Sequence, residues 1–200
     1  MRKYIFIIMA AAALWSALPQ SSEAREIKDF FISMPDSLMP MLDENARKDL
    51  VDICLSGMKT ALPNEWNGTS ALLKLTANHL QLREDSEGIV ITDMAMLTKG
   101  KDTLICLVRT LRTPQPTSEV LFYGADWHEQ NTTKRISIPD LSEFPRTESK
   151  LTEGIMPVEL MQTDLDITEQ GAASLTFSTN LSDHTIIFRW NGKKFVRNKE

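Results

Sequence analysis

The chain has 200 residues, a formal net charge of −5 and a hydrophobic content of 42%. That is enough for one domain, or for two small subdomains around a shared core. No basic block stands out, so the electrostatic footprint of a nucleic-acid binder is absent, and a chain of this length needs no disulfide staple.

Residues 1–24 have the pattern of a cleavable secretory leader. Met1-Arg2-Lys3 is a basic opening, an uncharged run from Tyr4 to Trp15 follows, and Pro19 ends the apolar stretch. Ser22-Glu23-Ala24 puts small residues where a signal peptidase reads, which places the cut before Arg25. The apolar core, about 15 residues, is short of the roughly 20 that span a bilayer, which argues against an uncleaved anchor. No cysteine lies near the cut, so a lipid-modified terminus is not supported. No later segment is long and apolar enough to span a membrane. The expected mature chain is therefore soluble and periplasmic or extracellular, with a net charge of −6 once Arg2, Lys3 and Glu23 are removed.

Residues 26–42 form an apolar lead-in, with Phe30-Phe31 and Met39-Pro40-Met41-Leu42, whose prolines forbid a long helix. Over 44–62 the pattern predicts an amphipathic helix, with Asp43 as N-cap and Pro63 as stop. Leu50, Cys54, Met58 and Ala61 form its apolar stripe, widened by Val51 and Leu62, and Asp49, Asp52, Ser56 and Lys59 take the other side. From about residue 78 the period changes to two. Strands are predicted at 79–83, 89–97, 103–111 and 119–125, with turns at Glu84 to Gly88, at Lys99-Gly100-Lys101 and at Thr113-Pro114-Gln115-Pro116. Short connections imply an antiparallel meander. The run 103–111 is apolar enough to be buried on both faces.

Residues 128–157 read as a long polar connection with a short helix near 140–144, and a second strand set follows at 159–168, 173–180, 185–190 and 193–197. Turns fall at Gln170-Gly171 and between Asn180 and Asp183. Asn191-Gly192 is the favoured pair for a two-residue hairpin loop. That loop would pair Trp190 with Lys193 and Phe188 with Phe195. Ile186, Phe188, Trp190 and Phe195 then share the core face, and Ile187, Arg189, Lys194 and Val196 the other. The expected fold class is α+β, an N-terminal amphipathic helix packed on antiparallel sheet. Val120-Leu121-Phe122-Tyr123 and Ile186-Ile187-Phe188-Arg189 sit alike in their sets, which leaves room for two related four-stranded units. In domain terms, 25–130 carries the helix and first set, 131–157 connects, and 158–200 adds the second set to a shared core.

Several segments carry a resemblance. They are Asp29-Phe30-Phe31 with Met34-Pro35, Arg47 with Asp49-Leu50-Val51-Asp52, Leu104 to Thr110, Phe122-Tyr123 with Trp127, and Phe188 to Val196. Together they resemble an uncharacterised family of exported Bacteroidales proteins, known as a domain of unknown function, over nearly the whole mature chain. The resemblance implies a Gram-negative envelope setting and brings no activity, cofactor or catalytic residue.

The motifs of common chemistries are missing. His79, His128 and His184 show no metal-ligand spacing, and there is no Cys-x-x-Cys. Asp126-x-His128 could offer two ligands from one strand end, though a polar strand terminus beside Trp127 explains it as well. No Gly-x-Ser-x-Gly or phosphate-cradling glycine loop is present. The acidic run Glu84-Asp85-Ser86-Glu87 lacks calcium-loop spacing. Cys54 and Cys106 each lie in an apolar run and read as buried thiols, although an oxidising compartment permits a disulfide. Asp164 and Asp166 point the same way from one strand, as a glycosidase pair or as a solvated strand face. The methionines, with Met39/Met41 and Met94/Met96 two apart, read as core filler.

Candidate ligand-binding residues are Trp66, Trp127, Asp126 and His128, whose aromatics could form a platform or fold back as lids on the core. Ser37 and Thr103, each after Asp and before Leu, are candidate O-glycosylation positions. No catalytic set, metal or cofactor is expected. The reading is a non-catalytic envelope module binding a protein, peptide or glycan. Alternatives are a carboxylate-dependent envelope hydrolase and a proteinaceous inhibitor.

Overall fold

The computed structural model describes residues 25–58, 60–99, 102–112, 115–150, 158–168 and 171–198. The leader at 1–24 lies outside these, as do Lys59, Gly100, Lys101, Thr113, Pro114, Pro157 and Gln170 of the predicted features.

The apolar lead-in folds into helix α1 (Ile27–Ile32) and a 3-10 turn (Asp36–Leu38). Glu26 and Asp29 form a reciprocal capping box at the start of α1. Helix α2 (Glu44–Leu55) begins as predicted, with the Asp43 side chain accepting from the Ala46 N–H at 2.7 Å. It ends seven residues earlier than predicted. Gly57 turns left-handed at φ +77, its N–H donates to the Cys54 carbonyl (3.1 Å), and the Met58 N–H donates to Ile53 (3.2 Å). This is a glycine-terminated Schellman stop. Ser56 is therefore a C-cap, and Met58 and Ala61 are exposed rather than part of a helical stripe.

Seven strands form the large sheet in sequence order: β1 (Leu62–Pro63), β2 (Thr69–Leu75), β3 (His79–Asp85), β4 (Ile89–Lys99), β5 (Asp102–Leu111), β6 (Thr117–Gly124) and β7 (Glu129–Gln130). All pairings are antiparallel. Sequence pattern missed β2 because its register shifts between Leu72 and Lys74. That bulge puts Leu72 against the core and leaves Leu73 exposed, so the alternation is broken. The four strands β8 (Met161–Ile167), β9 (Ala173–Thr179), β10 (Ile186–Trp190) and β11 (Phe195–Arg197) form a second antiparallel sheet. The fold is α+β, with sheets of seven and four strands in place of the two four-stranded units that the spacing allowed.

The layers stack as helices, large sheet, small sheet. Leu80, Leu82, Met94, Ile105 and Leu107 face α1, α2 and the lead-in, packing with Phe31, Met34, Leu50 and Val51. Ala95, Leu97, Cys106, Val108 and Phe122 face the opposite way, onto Leu165, Leu175, Phe177 and Phe188 of the small sheet. β5 is thus buried on both faces, as its unbroken apolar run predicted. Ser118 links the sheets, its hydroxyl accepting from the Thr163 N–H at 2.9 Å. The connection between sheets carries a 3-10 turn at Leu141–Glu143, capped by Asp140, where a short helix was predicted.

The last hairpin corrects the predicted register. Trp190 pairs with Phe195 and Phe188 with Arg197, so the loop spans 191–194. The Asn191 carboxamide oxygen accepts from the Lys193 and Lys194 N–H groups, both at 3.0 Å, and holds the wider turn. The shift is two residues, so side-chain parity is kept, and Ile186, Phe188 and Phe195 still face the core.

Candidate functional site

At the end of the sandwich where β4 turns into β5, the two sheets part around a cleft of about 860 Å³. One wall is Asp102, Thr103 and Leu104 at the start of β5. Another is Gly124, Asp126 and Gln130 around the β6–β7 turn. Arg135, from the connection, and Trp190, from the end of β10, close it. At Gly124 the Asp126 and Gln130 side chains fold close over the backbone. A Cβ at that position would stand 2.7 Å from Asp126 Oδ1 and 3.5 Å from Gln130 Nε2.

Trp190 is half-buried, packs on Phe195 with ring centroids 5.2 Å apart, and has its indole Nε1 buried without a hydrogen-bond partner among the described residues. A buried unpaired donor costs about 1–3 kcal/mol. The Arg135 guanidinium donates to the Lys193 carbonyl at 3.2 Å, which ties the connection to the hairpin loop. Asp126 accepts from the His128 N–H at 3.2 Å and pairs with His128 Nδ1 at 3.0 Å. The backbone bond from His128 is the main cause holding its carboxyl below the usual range.

Of the four predicted ligand-binding residues, Asp126 lines this cleft. His128 is exposed beside it, at 83% side-chain exposure. Trp127, at φ +62, turns to the opposite side and is buried against Tyr123, with ring centroids 5.5 Å apart. It is a lid on the helix-side core. Trp66, 53% exposed, sits in the loop before β2, at the other end of the large sheet. Thr103 lines the cleft from β5 and is half-buried, whereas Ser37 is exposed in its 3-10 turn. Sequence reasoning assigned Trp190 to the core and passed over Gln130 and Arg135. The signal for Trp190 was its place beside the Asn191-Gly192 turn, but the cleft walls come from segments far apart in the chain.

Other candidate chemistry is dispersed. Asp164 and Asp166 project into solvent from the outer face of the small sheet, Asp164 accepting from Gln162 at 2.9 Å. The buried acids of the large sheet, Glu84 and Asp93, sit on its opposite faces by register and cannot form a carboxylate pair. Glu84 accepts from Thr92 at 3.2 Å, and burial pushes its carboxyl up, partly opposed by Thr92 and Arg109. Asp93 receives His79 Nε2 at 3.1 Å and Gln81 Nε2 at 3.0 Å. Both cysteines are free, Cys54 half-buried and Cys106 fully buried. Burial, then Asp93, pushes the Cys106 thiol up, keeping it protonated and inert. Among the described residues no cluster of three His, Cys, Asp or Glu could hold a metal, and no helix is long and apolar enough to cross a membrane.

Helices over a seven-stranded antiparallel sheet backed by a four-stranded one define an α+β two-sheet class. Within it, the chain belongs to the family described as Protein of unknown function (DUF3256), which matches residues 19–183. The match ends before β10, so Trp190 and the hairpin loop lie outside the matched span. Among solved structures, the chain is similar to a domain of an uncharacterized protein from Porphyromonas gingivalis W83, at 23% identity and a TM-score of 0.65. The similarity covers 88% of this chain and 100% of that one, and at this identity it shows the fold. No curated protein matches.

Proposed function

We propose that the chain is a non-catalytic binding module of a Gram-negative cell envelope, and that the cleft between its sheets seats a neutral, hydroxyl-rich ligand of the glycan class. The leader pattern of residues 1–24 supports the compartment. The observation that carries the ligand reading is the half-buried Trp190 ring, which lines the cleft. Around it stand acceptors on Asp102 and Asp126, an amide on Gln130 and a guanidinium on Arg135. An aromatic ring flanked by convergent polar groups suits a ligand with apolar ring faces and many hydroxyls.

Asp102 and Asp126 share the cleft, which is the one observation favouring a carboxylate hydrolase. Against it, hydrogen bonding holds the Asp126 carboxyl down, the reverse of what a general acid needs.

The test is intrinsic tryptophan fluorescence of protein purified from cells expressing the full chain, titrated with neutral oligosaccharides of plain and N-acetylated hexoses. The expected result is a saturable change that Trp190→Phe abolishes and Asp126→Ala weakens about tenfold, the scale of one hydrogen bond to a charged group. Mass spectrometry should recover the oligosaccharide intact, and cleavage products would favour the hydrolase instead. A panel without response, or a response surviving Trp190→Phe, refutes the proposal. Envelope fractionation and N-terminal sequencing that fails to begin near Arg25 would overturn the compartment.

A further inference from the structure

A second groove, of about 830 Å³, runs along the outer edge of β11, beside the connection at 133–137. Ile136, Phe188 and Phe195 supply an apolar floor. Lys134, Lys193 and Lys194 stand on its rim, exposed and without an ion pair among the described residues. Its one acidic lining residue, Glu143, is already engaged by Arg197. On a chain of net charge −5, this is a local excess of positive charge.

The backbone of β11 is also open there. The Asn198 N–H donates to Ile187 and the Asn191 N–H to Lys194, so residues paired at 187/198, 189/196 and 191/194 bond across the hairpin. By alternation, the N–H and C=O groups of Phe195 and Arg197 point away from β10 and toward the groove. The Phe195 N–H meets the Arg135 carbonyl at 2.7 Å. The Phe195 carbonyl and the Arg197 N–H have no hydrogen-bond partner among the described residues. An edge with unmatched backbone groups is a template for strand addition.

We propose that this groove takes an acidic peptide segment in extended conformation, added as a strand against β11. The open N–H of Arg197 and C=O of Phe195 supply main-chain pairing, and Lys134, Lys193 and Lys194 meet its carboxylates. The apolar floor takes alternate small hydrophobic side chains. The groove shares Lys193 with the glycan cleft, but the open backbone edge belongs to β11 and Asp126 does not line the groove.

The test uses protein purified from cells expressing the full chain and a fluorescent synthetic peptide of alternating Glu and Val, with a Lys-Val peptide as charge control. Arg197→Pro removes the outward N–H while leaving every β10–β11 bond, and Arg197→Ala removes only the side chain. Fluorescence anisotropy should show saturable, salt-sensitive binding of the Glu-Val peptide alone. Arg197→Pro should weaken it about fivefold relative to Arg197→Ala, the scale of one backbone hydrogen bond. The double substitution Lys134→Glu/Lys194→Glu should weaken it about tenfold. Asp126→Ala should leave it unchanged, which separates this site from the cleft. Amide NMR of the unsubstituted protein gives a readout free of folding effects: the Arg197 amide should shift downfield and gain exchange protection. Equal binding of the Lys-Val peptide, equal affinity of Arg197→Pro and Arg197→Ala, or an unmoved Arg197 amide overturns the proposal. So does full competition by inorganic polyphosphate without any Arg197 amide shift, since that would mark a non-specific cationic patch.

Discussion

Arg47 is 1% exposed, the largest fully buried side chain among the described residues, and it lies under the lead-in. Its guanidinium donates to the Ile32 carbonyl (3.3 and 3.2 Å), to Met34 (2.6 Å) and to Leu42 (2.5 Å), and it meets Asp36 at 3.0 Å. Three backbone carbonyls from a segment with little regular structure thus converge on one side chain. Arg47→Met keeps most of the apolar stem and deletes the five donors. Each stranded carbonyl that water cannot reach costs about 1–3 kcal/mol. Some of the segment will open to solvent, so a net loss of about 3–5 kcal/mol is expected, the scale of breaking a buried charged network. That is a large fraction of the 5–15 kcal/mol typical of a domain, on the order of a third or more. Asp36 is 65% exposed, so Asp36→Ala should cost less than about 1 kcal/mol. Urea denaturation, followed by near-UV circular dichroism, measures both. If Arg47→Met falls within 1 kcal/mol of the parent on the scale of ordinary surface changes, or if Asp36→Ala costs as much, the carbonyl-gathering role is wrong.

Three further outcomes are expected. Gly68→Ala places a Cβ 1.6 Å from the Asp85 carbonyl oxygen, so the β1–β2 loop must separate from β3, at about 3 kcal/mol; an unchanged urea midpoint would contradict this contact. A thiol reagent should titrate Cys54 in the folded protein and Cys106 only after unfolding, because Cys106 is buried with its thiol pushed up; rapid reaction of both would show that the two-sheet core opens. Glu84→Gln should gain stability relative to the parent as pH rises. The Glu84 carboxyl is raised above 4.5 in the folded state. Its folded form therefore favours the proton, costs nothing below the unfolded value, and is penalised as pH climbs through the folded value. A stability difference that stays flat from acid to mild alkali would refute it.

Much of the fold was legible because it is written in local periodicity. Alternation over 79–83, the strand-like runs at 89–97 and 119–125, and the unbroken apolar run at 103–111 gave four of the large-sheet strands, and the apolar density of 103–111 predicted its double burial. β2 was illegible because its bulge breaks the period of two. Arg47 was within reach: it lies three residues before Leu50 on the stripe that packs inward, so its burial follows from helix geometry. Its partners do not, since the carbonyls it collects carry no side-chain signature. Of the residues lining the cleft, Asp126 carried a sequence signal, and Trp190, read as core, does pack against the core while also lining the cleft.

Spacing within single segments was enough for the α+β class, the Asp43 cap, and the apolar face of the last hairpin. These depend on spacing within one segment, and parity survives even a two-residue error in register. The end of α2 and the width of the final hairpin loop rest on short-range bonds at Gly57 and at the Asn191 carboxamide, which hydrophobic periodicity does not encode. Only tertiary structure decided which walls enclose the cleft, because it brings an indole from β10 opposite a carboxylate after β6.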